Sequence, residues 1–93
     1  MDEYEEILAS KRAIRVLSIA TEQGELTINE LVRKAGIDHV IGDRIVKQLV
    51  DYGLLIDEYH GRNRLIKPSF RSYQILFVRD NGIEIQLVPM GRL

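Results

Sequence analysis

The sequence predicts a small α+β domain with three helices, a two-stranded β-ribbon and a C-terminal β-hairpin. Thr27 and Glu30 have the spacing of a capping box, which marks a helix start. Between residues 37 and 52, apolar residues recur every three or four positions, as in an amphipathic helix. Asn81-Gly82 lies between two apolar runs, a strong hairpin signal. Helices are therefore expected in the first half of the 93-residue chain and strands in the second.

The first helix is predicted over residues 3 to 22. Acidic residues in its first turns suit the positive end of the helix dipole. Its apolar stripe is broader than one small core requires, which suggests a second surface such as a partner subunit. Leu26 is expected to form a short strand after it. The stripe consists of Ile7, Leu8, Ala13, Ile14, Val16, Leu17 and Ala20.

The second helix is predicted to begin at Thr27 and to end at Gly36, where a positive φ carries no steric cost. The third is predicted over residues 38 to 52, with Asp38 as its N-terminal cap. One face of this helix is apolar and the other is polar. The apolar face holds Ile37, Ile41, Ile45, Val46, Leu49 and Tyr52; the polar face holds His39, Asp43, Arg44, Lys47 and Gln48.

An antiparallel ribbon is expected after Gly53. Leu54–Ile56 is predicted to pair with Leu65–Ile66 across a loop from Asp57 to Arg64. Gly61 and Asn63 are turn-forming residues that alternate with Arg62 and Arg64, so the loop should project from the sheet. We call this ribbon the wing.

The C-terminal segment is predicted to be a hairpin of residues 73–78 and 83–87, joined by a type I′ turn with Asn81 and Gly82 at its centre. The alternative is a helix over residues 69–78, because Phe70, Tyr73, Leu76 and Phe77 also have helical spacing. In either case residues 75–78 are apolar at consecutive positions, so apolar side chains on both faces of the element need to be buried. Together with the first helix, this segment predicts a homodimer interface.

Three short runs carry a family resemblance: Ala35-Gly36-Ile37, then Leu49, then Tyr52-Gly53-Leu54-Leu55. They resemble the winged helix-turn-helix superfamily at its usual spacing, without insertion or deletion. In size and layout the chain is similar to small archaeal and archaeal-viral regulators related to the MarR and ArsR groups. The resemblance covers roughly residues 7 to 67, and the chain length predicts a single winged-helix domain over residues 1–93. Its predicted parts are 1–26 (first helix and short strand), 27–67 (helix-turn-helix and wing) and 68–93 (hairpin, possible dimerisation element).

The resemblance also implies a double-stranded DNA partner. In the family the second helix of the motif enters the major groove, and the wing reaches an adjacent groove or the backbone. Arg44 has the planar fork that bonds guanine, and Lys47 suits a phosphate. The groove-facing positions are His39, Val40, Asp43, Arg44 and Lys47, and the wing candidates are Tyr59, His60, Arg62, Asn63, Arg64 and Lys67.

Two residues depart from a generic DNA-reading helix. The Asp43 carboxylate is repelled by phosphate unless it accepts from cytosine or pairs with a neighbouring basic side chain. Gly42 replaces a bulky apolar residue and lowers helix stability by about 0.5 to 1 kcal/mol. Surface ion pairs, such as Asp43 with Lys47, are the alternative role for the basic residues of this helix.

Charge is unevenly distributed along the chain, whose net charge is −1. Residues 1–30 contain seven acidic and three basic residues, whereas residues 59–73 contain no acidic residue. The folded chain can therefore be bipolar, and only its basic face needs to meet phosphate.

Several function classes lack support in the sequence. There is no cysteine for a disulfide or a thiolate metal site. No phosphate-binding glycine pattern, nucleophile–base pair or metal-ligand cluster is recognisable, so we predict a non-enzyme without cofactor or metal. The acidic N-terminus and the lack of an apolar run of about 20 residues predict a cytoplasmic protein without membrane contact. The alternative function is a protein-interaction winged helix within a larger complex.

Overall fold

The computed structural model describes residues 9–80 and 82–89. Its strands form a three-stranded antiparallel sheet of order β1-β3-β2 and a separate hairpin, β4-β5. The predicted α+β winged helix-turn-helix architecture with a C-terminal hairpin is confirmed. The elements are α1 (Lys11–Gln23), β1 (Leu26–Thr27), α2 (Ile28–Ala35), α3 (His39–Asp51), β2 (Leu55–His60), β3 (Asn63–Pro68), β4 (Phe70–Val78) and β5 (Gly82–Pro89).

The core lies between the three helices and the small sheet. Helix α1 packs on α2, α3 and β3, and α3 packs on β2. Burial of these apolar side chains is the main favourable contribution to folding. The largest fully buried side chains are Phe70, Leu17, Leu31, Leu49, Leu54 and Ile66.

The first helix differs from the prediction, because α1 begins at Lys11. Ser10 has an extended backbone, and its hydroxyl oxygen accepts a hydrogen bond from the N–H of Ala13 at 3.1 Å. Such a serine cap satisfies a backbone donor that the helix leaves unpaired, so it separates α1 from the preceding residues. Residues 1–8, including Ile7 and Leu8 of the predicted stripe, lie outside the described residues. The rest of the stripe is buried or half-buried in this chain's own core.

Both predicted caps of the helix-turn-helix are confirmed. Thr27 Oγ1 accepts from the N–H of Glu30 at 3.2 Å, and Glu30 Oε1 accepts from the N–H of Thr27 at 3.3 Å. The hydrogen bond from the Thr27 N–H holds the pKa of the Glu30 carboxyl below its usual value. Asp38 Oδ2 accepts from the N–H groups of Val40 and Ile41 at 2.9 and 3.4 Å. Local side-chain bonds therefore fix where α2 and α3 begin.

Gly42 allows α2 and α3 to approach closely. A Cβ atom at this position would lie 2.3 Å from Val32 Cγ1 and 3.4 Å from Ile37 Cδ1. The first distance is far below van der Waals contact, and a valine side chain has little freedom to move away. The bulky apolar residue expected at position 42 would therefore push the two helices apart.

The wing is longer and tighter than predicted. The expected loop from Asp57 to Arg64 is wrong, because β2 runs to His60 and β3 starts at Asn63. Only Gly61 and Arg62 connect them, and Gly61 has a φ of 65°. A two-residue turn with a positive φ at its first position matches the twist of the paired strands, so it extends their pairing.

The C-terminal hairpin is confirmed, and the alternative helix over residues 69–78 is wrong. The predicted turn is also wrong, because Gly82 belongs to β5 and pairs with Val78, so it is not a central residue of the turn. Asp80, between the two strands, has a positive φ of 73°, and Asn81 lies outside the described residues. Phe70 is buried in the core at the base of the hairpin, and beyond that base the described strands pack mainly on each other.

Replacing Gly42 with alanine is expected to destabilise the fold. Overpacking against Val32 costs about 1 to 3 kcal/mol, which exceeds the gain of about 0.5 to 1 kcal/mol in helix propensity. Urea unfolding measures the change. In a Val32→Ala background the same substitution should cost less or become stabilising, since the obstructing methyl is gone. A single Gly42→Ala variant more stable than the native protein would contradict this packing account.

Candidate functional site

Arg64 of β3 joins the wing to α3. Its Nε donates to Asp57 Oδ1 and Oδ2 at 2.9 and 3.0 Å, and its Nη2 donates to Asp57 Oδ2 at 2.6 Å. Its Nη1 donates to Asp43 Oδ1 of α3. The Arg64 side chain is only 15% exposed. We call Asp43, Asp57 and Arg64 the anchoring cluster, because its guanidinium bridges two structural elements.

The anchoring cluster is electrically compensated. Lys47 Nζ lies 3.1 Å from Asp43 Oδ2, one helical turn away, so two carboxylates face two cations. The hydrogen bond from Arg64, followed by that from Lys47, holds the pKa of Asp43 below its usual value. The hydrogen bonds to Asp57, and then to Asp43, raise the pKa of Arg64 further above its already high value. The positive charge of Arg64 is therefore compensated by carboxylates of the protein itself.

A second ion cluster lies on the opposite face of the wing. Lys67 Nζ is 2.7 Å and His60 Nε2 is 3.2 Å from Glu58 Oε1. Lys67, and then His60, holds the pKa of Glu58 below its usual value, and Glu58 raises the pKa of Lys67. Because strand residues alternate between faces, this cluster is separate from Asp57 and Arg64.

Among the lysines and arginines predicted to contact DNA, Arg44 and Arg62 are the two whose charges have no carboxylate partner in the described part of the chain. Both are exposed, and neither has an ion pair with any part of the chain that the structure describes. Arg44 lies on the outer face of α3, and Arg62 lies in the two-residue turn of the wing. His39 is exposed at the start of α3, and Tyr59 of β2 is 71% exposed. Exposed cations and one aromatic ring therefore lie on the outer face of α3 and on the wing.

Two solved structures are similar to this chain. One is NadR in complex with 4-hydroxyphenylacetate, with a TM-score of 0.60, 21% sequence identity, and coverage of 63% of this chain and 44% of that chain. The other is a MarR family transcriptional regulator from Silicibacter pomeroyi DSS, with a TM-score of 0.62, 26% identity, and coverage of 74% and 52%. No protein-family model and no curated protein matches the sequence.

Both similarities extend over more than 60% of this chain. The chain is a winged helix-turn-helix protein, similar to MarR-family regulators. It spans about half the length of the two similar chains. Similarity to a transcriptional regulator also supports the prediction that the chain is not an enzyme. The archaeal part of the resemblance stays a prediction.

The winged helix places the eleven predicted contact residues in three different situations. Three of them, Asp43, Lys47 and Arg64, meet around the anchoring cluster. His60 and Lys67 meet at Glu58 on the other face of the wing. The remaining six are exposed on α3 or near the wing turn: His39, Val40, Arg44, Tyr59, Arg62 and Asn63.

Asp57 is the residue that sequence reasoning missed. The predicted loop left its partner undefined, whereas the observed register pairs Tyr59 with Arg64 and places Asp57 two residues before Tyr59 on the same face. The signal that could have found it was Gly61-Arg62 as a two-residue turn, because that turn sets the register.

Within the described residues, no helix is long and apolar enough to cross a membrane.

Arg64→Met is expected to lower the free energy of unfolding by about 2 to 3 kcal/mol, because it removes charge-assisted hydrogen bonds and leaves two carboxylates facing each other. The matched control, Arg62→Met, should change it by less than about 0.5 kcal/mol, since Arg62 is exposed in the turn. Urea unfolding at neutral pH measures both. Equal effects of the two substitutions would show that the cluster does not stabilise the wing.

The anchoring cluster also predicts a pH dependence. Hydrogen bonds from Arg64 and Lys47 lower the pKa of Asp43 in the folded chain, so on acidification the unfolded chain takes up this proton first. The stabilisation by Asp43 is therefore complete at neutral pH and is lost as the pH falls through about 4 and below. Urea midpoints should favour the native protein over Asp43→Asn at neutral pH, and the difference should shrink near pH 3. A difference that stays constant over this range would exclude Asp43 as its source.

Proposed function

We propose that this winged helix is a sequence-specific double-stranded DNA-binding protein that regulates transcription. The observation that carries the proposal is the position of Arg44 on α3 and of Arg62 at the wing turn, the two predicted contact arginines that have no ion pair among the described residues. In winged helices these are the two elements that contact DNA. Similarity to a MarR family transcriptional regulator supports the same function.

In this proposal α3 lies in the major groove. The Arg44 guanidinium bonds guanine O6 and N7, and His39 lies in the first turn of the same helix. The Lys47 side chain is 68% exposed, so it can contact a phosphate while it remains near Asp43. Asp43 takes the alternative role considered for it, as a partner of basic side chains rather than of cytosine.

The wing contacts the adjacent phosphates or minor groove through Arg62. A guanidinium on a narrow two-residue turn fits a narrow groove, where the negative potential is strongest. Tyr59 and Asn63 lie beside it and can bond the backbone. Arg64 contributes indirectly, since it holds the strands that carry Arg62. His60 and Lys67 add weaker, partly compensated charge through their pairs with Glu58.

A homodimer that uses the C-terminal hairpin completes the proposal. Leu87 and Val88 of β5 are 40% and 45% exposed on opposite faces of the strand, and we place the second copy on the face of Leu87. A two-fold dimer presents two copies of α3 to half-sites about one helical turn apart. In the strand register, residues with apolar side chains oppose one another in three pairs: Tyr73–Leu87, Ile75–Ile85 and Phe77–Ile83.

The second candidate function is a protein-interaction module in a larger complex. The same exposed β5 residues favour it, because an apolar strand can dock a different protein. The compensated charges of Arg64 and Lys67 and the net charge of −1 also fit this function. A cytoplasmic location and a single domain over residues 1–93 are part of both proposals.

DNA binding is tested by fluorescence anisotropy with random-sequence duplex over a salt series. The native protein should lose affinity steeply with salt, and Arg62→Ala should bind more weakly with a slope reduced by about one. Arg44→Ala should also weaken binding. Arg12→Ala, which removes an exposed arginine of α1, is the matched control and should leave binding unchanged. If the native protein does not bind even at low salt, the protein-interaction function replaces this proposal.

The dimer is tested by sedimentation equilibrium at micromolar concentration, where the native protein should show twice the monomer mass. Leu87→Lys should shift the equilibrium to the monomer. Gln86→Lys, the neighbouring exposed position on the other face of β5, should remain dimeric. A native protein that stays monomeric at all concentrations would contradict the dimer.

A further inference from the structure

We infer that Val40 is a specificity-determining residue, and that it reads the 5-methyl group of a thymine in the major groove. The inference rests on the proposed function, since it names one feature of the DNA that α3 would read. Val40 lies in the first turn of α3 and is 68% exposed. It is the large apolar residue on a face that otherwise presents polar side chains, including His39, Arg44 and Lys47.

Val40 has no role in the core that the structure describes. It is absent from both the core and the partly buried residues that pack against the core in the described part of the chain. Valine is also a poorer helix former than alanine, because its branched Cβ restricts the side chain in a helix. The fold therefore gains nothing from an exposed valine here, whereas an apolar side chain in the major groove can contact the thymine methyl.

The position of Val40 is well defined. Its N–H donates to Asp38 Oδ2 at 2.9 Å, so the cap of α3 fixes its backbone. A valine in a helix adopts mainly one χ1 rotamer, which gives its methyl groups a fixed direction. A rigid apolar group loses little entropy on contact, and this favours discrimination between bases.

The neighbours of Val40 limit where the thymine lies. Arg44 is one turn further along the same face, about 6 Å along the helix axis. Base pairs are spaced by about 3.4 Å, so the thymine should lie within about two steps of the guanine that Arg44 reads. The Asp43 carboxylate between them is bound to Arg64 and Lys47, so it does not bring a free negative charge to this part of the groove.

The test first selects a DNA duplex that the protein prefers. It then removes single methyl groups from the DNA and truncates single side chains of the protein. A preferred duplex is first selected from a random-sequence library with the native protein. Each thymine of the half-site is then replaced by deoxyuridine, which removes only the 5-methyl group. Dissociation constants are measured for the native protein, Val40→Ala and the control Ile56→Ala, which removes an exposed β-branched residue from the wing instead.

At one thymine, deoxyuridine should weaken native binding about fourfold, the value of one buried methyl group. The same change should have no effect on Val40→Ala, while Ile56→Ala should remain as sensitive as the native protein. Native binding that is insensitive to every methyl, or a Val40→Ala variant that keeps the sensitivity, overturns this inference alone. A native protein that binds no duplex overturns the proposed function and this inference together.

Discussion

The Arg64 guanidinium, held between Asp57 and Asp43, is the interaction on which the candidate site depends. Asp57 and Arg64 lie on the two strands of the wing, and Asp43 lies on α3. One planar cation therefore sets the wing against the helix. Because the guanidinium is mostly shielded from water, losing either partner would leave a poorly solvated charge. The same contact explains an aspartate on a helix face that is proposed to meet phosphate.

The cations of the site have two different roles. Some form ion pairs that hold the site together, and others are free to contact a ligand. Arg64 and Lys67 have carboxylate partners, whereas Arg44 and Arg62 have none among the described residues. Exposed arginines without partners keep their full hydrogen-bonding capacity for a ligand. The formal charge of the chain is thus a poor guide to its partner, because what matters is which charges remain uncompensated.

The helices could be predicted because their signals are local. Thr27 with Glu30, and Asp38 alone, each satisfy backbone donors within one turn, so the sequence contains the whole interaction. The close packing at Gly42 could not be predicted in the same way. It depends on Val32, which reaches it only after α2 and α3 have packed. From the sequence, Gly42 was a departure from the family, and its reason appears only in the tertiary contact.

The loop of the wing was predicted incorrectly from the sequence. A glycine and an asparagine near one another suggested a long loop, but Gly61 alone sets a two-residue turn. The choice matters because the turn fixes the strand register, and the register decides which face each side chain takes. With a long loop Arg64 was a free arginine near DNA; with the tight turn it lies on the same face as Asp57. The C-terminal turn was also misplaced, because Gly82 pairs with Val78, although the hairpin itself was predicted.

The central claim is that Arg64 positions the wing while Arg44 and Arg62 contact DNA. The most direct measurement is NMR of the arginine Nε–Hε groups of the ¹⁵N-labelled protein, free and with a selected duplex. The account predicts that the Arg64 signal is protected from solvent exchange in the free protein and keeps its shift in the complex, while the Arg44 and Arg62 signals move. An Arg64 signal that exchanges freely, or that shifts most strongly when DNA is added, would contradict the account.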